Sequence, residues 1–162
     1  MVRARGHHGF SLLELLVVLA LLAIVMAIVI PSFAGRSSAE MRSAALKIAT
    51  ALRHTRSVAM TRNASAALNF DIAAKNFRVD DSKIARGLPQ SLEYELFTAH
   101  TEQVGATAGR VRFFPDGSST GGRVTVIADE RRLLVDIDWF TGRVRILEPD
   151  ADGRFVTDAD AA

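Results

Sequence analysis

The sequence predicts an α+β protein, a long N-terminal helix packed on an antiparallel β-sheet or β-sandwich head. Three observations predict it. Residues 10–30 are an almost unbroken apolar run, and residues 39–62 carry apolar positions at helical spacing. From residue 63 onward the hydrophobic period shortens toward two, with turn residues between short segments. A length of 162 residues leaves room for one ordinary domain, or one domain with an appended segment.

Composition narrows the classes. The 49% hydrophobic content is that of a globular chain, and 23% charged residues exclude a polyelectrolyte or a fully disordered chain. The absence of cysteine excludes disulfides, thiolate catalysis, zinc–cysteine sites and iron–sulfur clusters. The formal charge of +2 hides an uneven arrangement: Arg3 and Arg5 lie in the first nine residues, and the remainder holds 18 basic and 18 acidic residues.

Phe10 to Ile30 contains only two polar residues, Ser11 and Glu14. As a helix its 21 residues span about 31 Å, the thickness of a bilayer's hydrocarbon core. Leu15 to Ile30 is apolar on all faces, more than a small domain can cover, which argues against a buried core helix. A cleaved secretory signal is also disfavoured, because the run is too long and ends in Ile30-Pro31-Ser32-Phe33 rather than in small residues. The basic flank at Arg3 and Arg5 predicts a cytoplasmic N-terminus with the rest of the chain exported. Glu14 stands out, since a carboxylate deep in a membrane costs about 2.5 kcal/mol or more and normally has a partner. A chain beginning at Phe10 would place its new α-amino group one helical turn away, so an ammonium on one subunit and Glu14 on its neighbour would neutralise each other. That pairing requires cleavage after Gly9.

At these residues the chain resembles the type IV pilin superfamily, which includes the pseudopilins of type II secretion. Gly9 before the cut, Phe10 as first mature residue and Glu14 at the fifth match the family pattern, and Pro31 falls where many members carry a helix-kinking proline. The resemblance implies a prepilin peptidase that cleaves after Gly9 and N-methylates Phe10. It also implies assembly roles for Glu14 and Pro31.

After Pro31, which lacks an N–H and can kink or interrupt a helix, Gly35, Ser37 and Ser38 weaken helicity. From Ala39 the helix resumes, with Met41, Ala45, Ile48, Leu52 and Ala59 on one face and Thr55 where an apolar residue is expected. One helix from about Phe10 to about Arg62 is therefore expected, its second half amphipathic. Six basic residues and one acid (Glu40) lie between Arg36 and Arg62, either a solvated face or one that meets acidic partners or lipid headgroups. From Gly87 onward the balance reverses to eight basic and thirteen acidic residues.

The head begins at Asn63. Ala67–Asp71 and Phe77–Val79 flank a turn at Ala73–Asn76, a hairpin signal, and Leu92–Leu96 alternates. Val111–Phe114 ends at the turn Pro115-Asp116-Gly117, followed by Val124–Ala128, Leu133–Ile137 and Arg143–Leu147, for six or seven strands in all. The stretch from Phe113 to Gly122 resembles the F-x-P-D-G-x-S-x-G stretch of the general secretion pathway H proteins and their FimT-like pilin relatives. Trp139 to Arg145 resembles the terminal strand motif of the same group. The expected organisation is a cleaved leader (1–9), a transmembrane or filament-core helix (10–30), its amphipathic continuation (31–62), a periplasmic β head (63–149) and a frayed acidic tail (150–162).

Chemistry of other kinds is thinly signalled. His7 and His8 belong to the leader, His54 to the helix and His100 to a polar loop, and no nucleophile motif surrounds any serine, so no enzymatic activity is expected. Asp150-Ala151-Asp152-Gly153 starts like a calcium loop without its spacing or closing glutamate, so no metal or cofactor is expected. Asn63-Ala64-Ser65 is a chance glycosylation sequon. Gly142-Arg143-Val144-Arg145 matches the G-R-x-R motif of DNA-uptake pilins, but Asp136, Asp138, Glu148 and Asp150 flank it, which favours a salt-bridged strand over a nucleic-acid surface. The resemblance therefore implies a minor pseudopilin, anchored in the inner membrane with a periplasmic head. Its implied partners are other pseudopilins, the prepilin peptidase, the assembly platform and lipid. The alternative is a FimT-like minor pilin of a type IV or competence pilus that contacts DNA through Arg143 and Arg145.

Overall fold

The structure, a computed structural model, describes residues 11–80, 82–105 and 107–149, with side chains described for all of these except 27–36. The leader, with Gly9 and Phe10, and the acidic tail lie outside the described residues. One helix, α1 (Leu12–Arg62), and nine strands make up the described chain, which divides into two compact units at Arg36/Ser37. Helical structure runs through Pro31 without interruption.

In the first unit, the start of α1 is set by Ser11. Its hydroxyl accepts a hydrogen bond from the Glu14 backbone N–H at 3.1 Å, and its carbonyl accepts from the Leu15 N–H. Ser11-Leu12-Leu13-Glu14 thus has the S-x-x-E spacing of a capping box, with an acidic residue in the first turn. The large apolar side chains from Leu12 to Met26 are all exposed. Among the described residues no helix is long and apolar enough to cross a membrane.

In the second unit, the second half of α1 buries the face that the periodicity predicts: Met41, Ala45, Ile48, Leu52 and Ala59 are buried, with Ala44, Ala49 and Ala51 beside them. Thr55, the polar interruption of the seam, is fully buried and donates its hydroxyl to the Ala51 carbonyl at 2.8 Å. A satisfied hydroxyl costs little in a core. The helix ends at Asn63, whose φ of 50° turns the chain left-handed while the Ala64 N–H returns to the Ala59 carbonyl. This six-to-one bond is a Schellman stop, a role asparagine fills second only to glycine.

The strands are β1 (Ala66–Asp71), β2 (Asn76–Val79), β3 (Arg86–Gly87), β4 (Glu93–Thr98), β5 (Gln103–Val104), β6 (Ala108–Phe113), β7 (Gly122–Ala128), β8 (Arg131–Ile137) and β9 (Val144–Leu147). They form two antiparallel sheets, ordered β3-β2-β1-β6-β5 and β4-β7-β8-β9. Every predicted strand is present. The count exceeds the expected six or seven because β3 and β5 are two-residue, exposed edge strands that carry no alternation signal. A one-turn 3-10 helix, His100–Glu102, precedes β5. Leu68, Phe70 and Phe113 from the first sheet, Val124, Val126 and Val135 from the second, and the buried face of α1 form one core.

Candidate functional site

The two motif stretches, far apart in sequence, are joined to each other and to α1. The turn after β6 is built by Asp116, whose carboxylate accepts from the Ser118 hydroxyl and N–H, and by Gly117 at φ 85°. The hydrogen bonds of Ser118 hold the Asp116 carboxyl below its usual range. Ser119 reaches the second stretch twice: its N–H donates to the Trp139 carbonyl at 2.9 Å and its hydroxyl to the Asp138 carbonyl at 3.0 Å. Asp138 in turn accepts from the Thr141 N–H and hydroxyl, which lowers its carboxyl pKa and shapes the loop ending at Gly142. Gly142 has φ 61°, and a Cβ there would collide with the Gly117 carbonyl. Above this frame Trp139 and Phe140 pack edge to face, ring centroids 5.6 Å apart, and both are exposed.

The basic side chains of α1 supply the third partner. Arg56 donates from Nε to the Gly117 carbonyl at 2.9 Å and from its terminal nitrogen to the Thr141 carbonyl at 3.0 Å. Arg53 donates to the Val144 carbonyl at 3.0 Å, and Arg42 pairs with Glu148. Half of the helix's six basic residues therefore fasten it to the end of its own head. Neither the solvated face nor the lipid-facing one describes these three. The acceptors are mostly main-chain carbonyls, which leave no mark in a sequence.

Arg143 and Arg145 are separated in environment. Arg143 precedes β9 rather than belonging to it, and is exposed. Arg145 is half-buried, 4.0 Å from Asp136, which also meets Arg123 at 3.6 Å. The acidic neighbour expected from the sequence is therefore present for one arginine of the motif. A further charged cluster escaped the sequence reading: Glu102 accepts from Arg110, and from Arg112 Nε at 2.9 Å. Burial pushes the Glu102 carboxyl up, and the hydrogen bonds from Arg112 and Arg110 outweigh it, so its pKa lies below the ordinary value. Two arginines alternating on one strand share a face and call for a counter-charge, the signal that was there to be read. Among the described residues no three His, Asp or Glu side chains are grouped to hold a metal ion, and the Asp150 loop lies outside them.

Comparison with known proteins places these features together. Residues 44–142 match the family model of the type II transport protein GspH, and residues 4–30 match the prokaryotic N-terminal methylation motif. The type II secretion system protein H of Xanthomonas campestris pv. campestris is 33% identical over 142 residues, covering 87% of this chain and 83% of that one. The minor pseudopilin EpsH of the type 2 secretion system of Vibrio cholerae aligns with a TM-score of 0.54 at 13% identity, over 68% of this chain and 98% of that one. The type IV minor pilin FimU of Pseudomonas aeruginosa aligns at 0.51 and 11% identity, over 65% and 90%. The two solved structures share the fold; the family match spans Arg56 and the two loops that it holds. This chain belongs to the type II transport protein GspH family.

Proposed function

We propose that the chain is a minor pseudopilin, a structural and non-enzymatic subunit of the type II secretion pseudopilus that supports protein export across the outer membrane. The observation that carries the reading is the likeness to a type II secretion protein H across 87% of the chain, together with a methylation motif at its start. The prepilin peptidase cuts between Gly9 and Phe10 and methylates Phe10. The apolar helix then holds the subunit in the inner membrane as a single pass, N-terminus inside and head in the periplasm. Exposed on every face from Leu12 to Met26, this helix needs either lipid or the apolar core of a helical bundle around it. Assembly exchanges the first for the second, and Glu14 meets the α-amino group of a neighbour as it does so. The head contacts the other minor subunits near the filament tip.

The test is export by cells lacking this chain. Deletion is expected to abolish secretion of the outer-membrane-crossing substrates, the full chain to restore it, and Glu14→Lys to fail although it reaches the membrane. Unchanged export in the deletion strain overturns the reading.

A further inference from the structure

A hollow of about 700 Å3 runs along the exposed flank of α1, beside Phe77 of β2 and Arg86 and Gly87 of β3. Among the described residues that line it there is no carboxylate, and there are three cations: Arg42, Lys47 and Arg86. Arg42 is matched by Glu148. Lys47 and Arg86 are exposed, and neither has an ion-pair partner among the described residues. Glu40, the one acid between Arg36 and Arg62, is engaged by the Ser91 hydroxyl at 2.9 Å. Arg86 lies directly opposite Phe77 in the β2–β3 register, so both side chains leave the sheet on one face. Phe77 fills the core there, and Arg86, on the outermost strand, stands at the rim. Leu46, exposed on α1, gives the hollow an apolar edge.

Two like charges beside one hollow repel each other, and a carboxylate brought to each removes that cost. The occupant that fits therefore carries acids together with an apolar side chain. A second copy of this chain would leave its own hollow open to a third, and such a heterologous contact propagates into a run of one subunit. A minor subunit near a filament tip has different chains as its neighbours.

We propose that the α1/β2–β3 hollow is the docking surface for an acidic segment of a different subunit of the same filament, two of whose carboxylates meet Lys47 and Arg86 while an apolar side chain covers Leu46. The proposal rests on the assembly reading and deepens it, since it names the face of the head that a neighbouring subunit takes and the chemistry of that neighbour.

Gly87 offers a probe position that removes no charge from the contact. A Cβ there meets nothing within 4 Å, and the chain has no cysteine of its own. Full-length Gly87→Cys is labelled on its thiol with a benzophenone, in membranes of cells that carry the whole secretion system, with each of the other pseudopilins tagged in turn. Irradiation is expected to join it to one of those subunits at a stretch rich in Asp and Glu. Lys47→Glu with Arg86→Glu in the labelled chain lowers the yield about tenfold, and lysine in place of the carboxylates of the crosslinked stretch restores it. A yield indifferent to these charge changes overturns the proposal, as does an adduct at a stretch without carboxylates. An adduct with a second copy of this chain, with phospholipid or with nucleic acid overturns it too. If Gly87→Cys restores export to the deletion strain yet gives no adduct, the contact falls and the assembly reading stands. Export that never needed the chain removes that reading instead.

Discussion

Arg56 Nε lies 2.9 Å from the carbonyl oxygen of Gly117, so a side chain in the helix holds the main chain of a turn 61 residues later. Its terminal nitrogen holds Thr141 in the same way, and both loops of the head end on one guanidinium. Arg56→Met keeps the aliphatic stem and removes both bonds. The expected loss is about 2–4 kcal/mol of stability, since each charged hydrogen bond contributes about 1.5–3 kcal/mol and the site is only half-buried. Arg56→Lys keeps one bond at most and should fall between. Urea unfolding followed by Trp139 fluorescence measures both, and a loss below about 0.5 kcal/mol for Arg56→Met would show that the loops hold without it.

Gly142 faces the same carbonyl. With φ at 61° and a Cβ directed at the Gly117 oxygen, Gly142→Ala combines backbone strain with a collision that no rotamer relieves. A loss of about 3 kcal/mol or more is expected, with poor recovery of folded protein. Gly87→Ala, in open space, should change stability by less than about 1 kcal/mol and serves as the control. Equal melting of the two variants would contradict the geometry.

Glu102 sets part of the acid limb. Its folded pKa is lowered beneath the ordinary glutamate value of 4.5, so the unfolded chain binds its proton first as pH falls. The stability it contributes is complete above that value and is lost as pH falls through the lowered folded pKa. Arg112, its pKa raised by the hydrogen bond to Glu102, stays charged throughout. Glu102→Gln should therefore flatten the pH dependence below pH 4.5, lowering stability at pH 7 while leaving it nearly unchanged at the acid end. The lowered pKa values of Asp116 and Asp138 keep a residual slope of the same sign. A variant whose stability tracks the wild type at a constant offset across this window would refute the assignment.

How legible this was depends on whether a contact is local. Met41, Ala45, Ile48 and Leu52 announce a buried helical face because their spacing is fixed by the helix itself, and all four are buried. Gly117, Gly121 and Gly122 mark turns for the same reason, and each has a positive φ. Asn63 read only as a sequon, although an asparagine just past the last helical residue is itself a stop signal. The arginines of α1 were ambiguous because Arg53 and Arg56 bond to main-chain carbonyls 91 and 61 residues away. Gly142 carries its constraint from the backbone of a different loop. Strands β3 and β5 are two residues long, too short for any period.

Glu14 occupies the third position of the helix, where glutamate and glutamine serve a capping box equally. Glu14→Gln thus preserves the helix start and removes only the charge. It should insert and be cut after Gly9, yet crosslink poorly to the other minor subunits, with Glu14→Lys worse. Wild-type crosslinking of Glu14→Gln at matched membrane levels would show that the charge is dispensable.

DNA offers a further check on the terminal motif. With Arg145 drawn to Asp136, the full chain is expected to show negligible binding to duplex DNA at physiological salt in a gel-shift titration. Tight, salt-sensitive binding lost in Arg143→Ala/Arg145→Ala would favour the DNA-uptake alternative instead.

The fastening of α1 also decides how the head answers a pull. From Arg42 to Arg56 the three arginine contacts with the head are staggered over about 21 Å of helix. Traction along the helix axis loads all three together, in shear, along with the buried seam beneath them. They cannot be opened one after another, as the rungs of a hairpin peeled from its end can. A subunit drawn by its helix would therefore carry its head along with it.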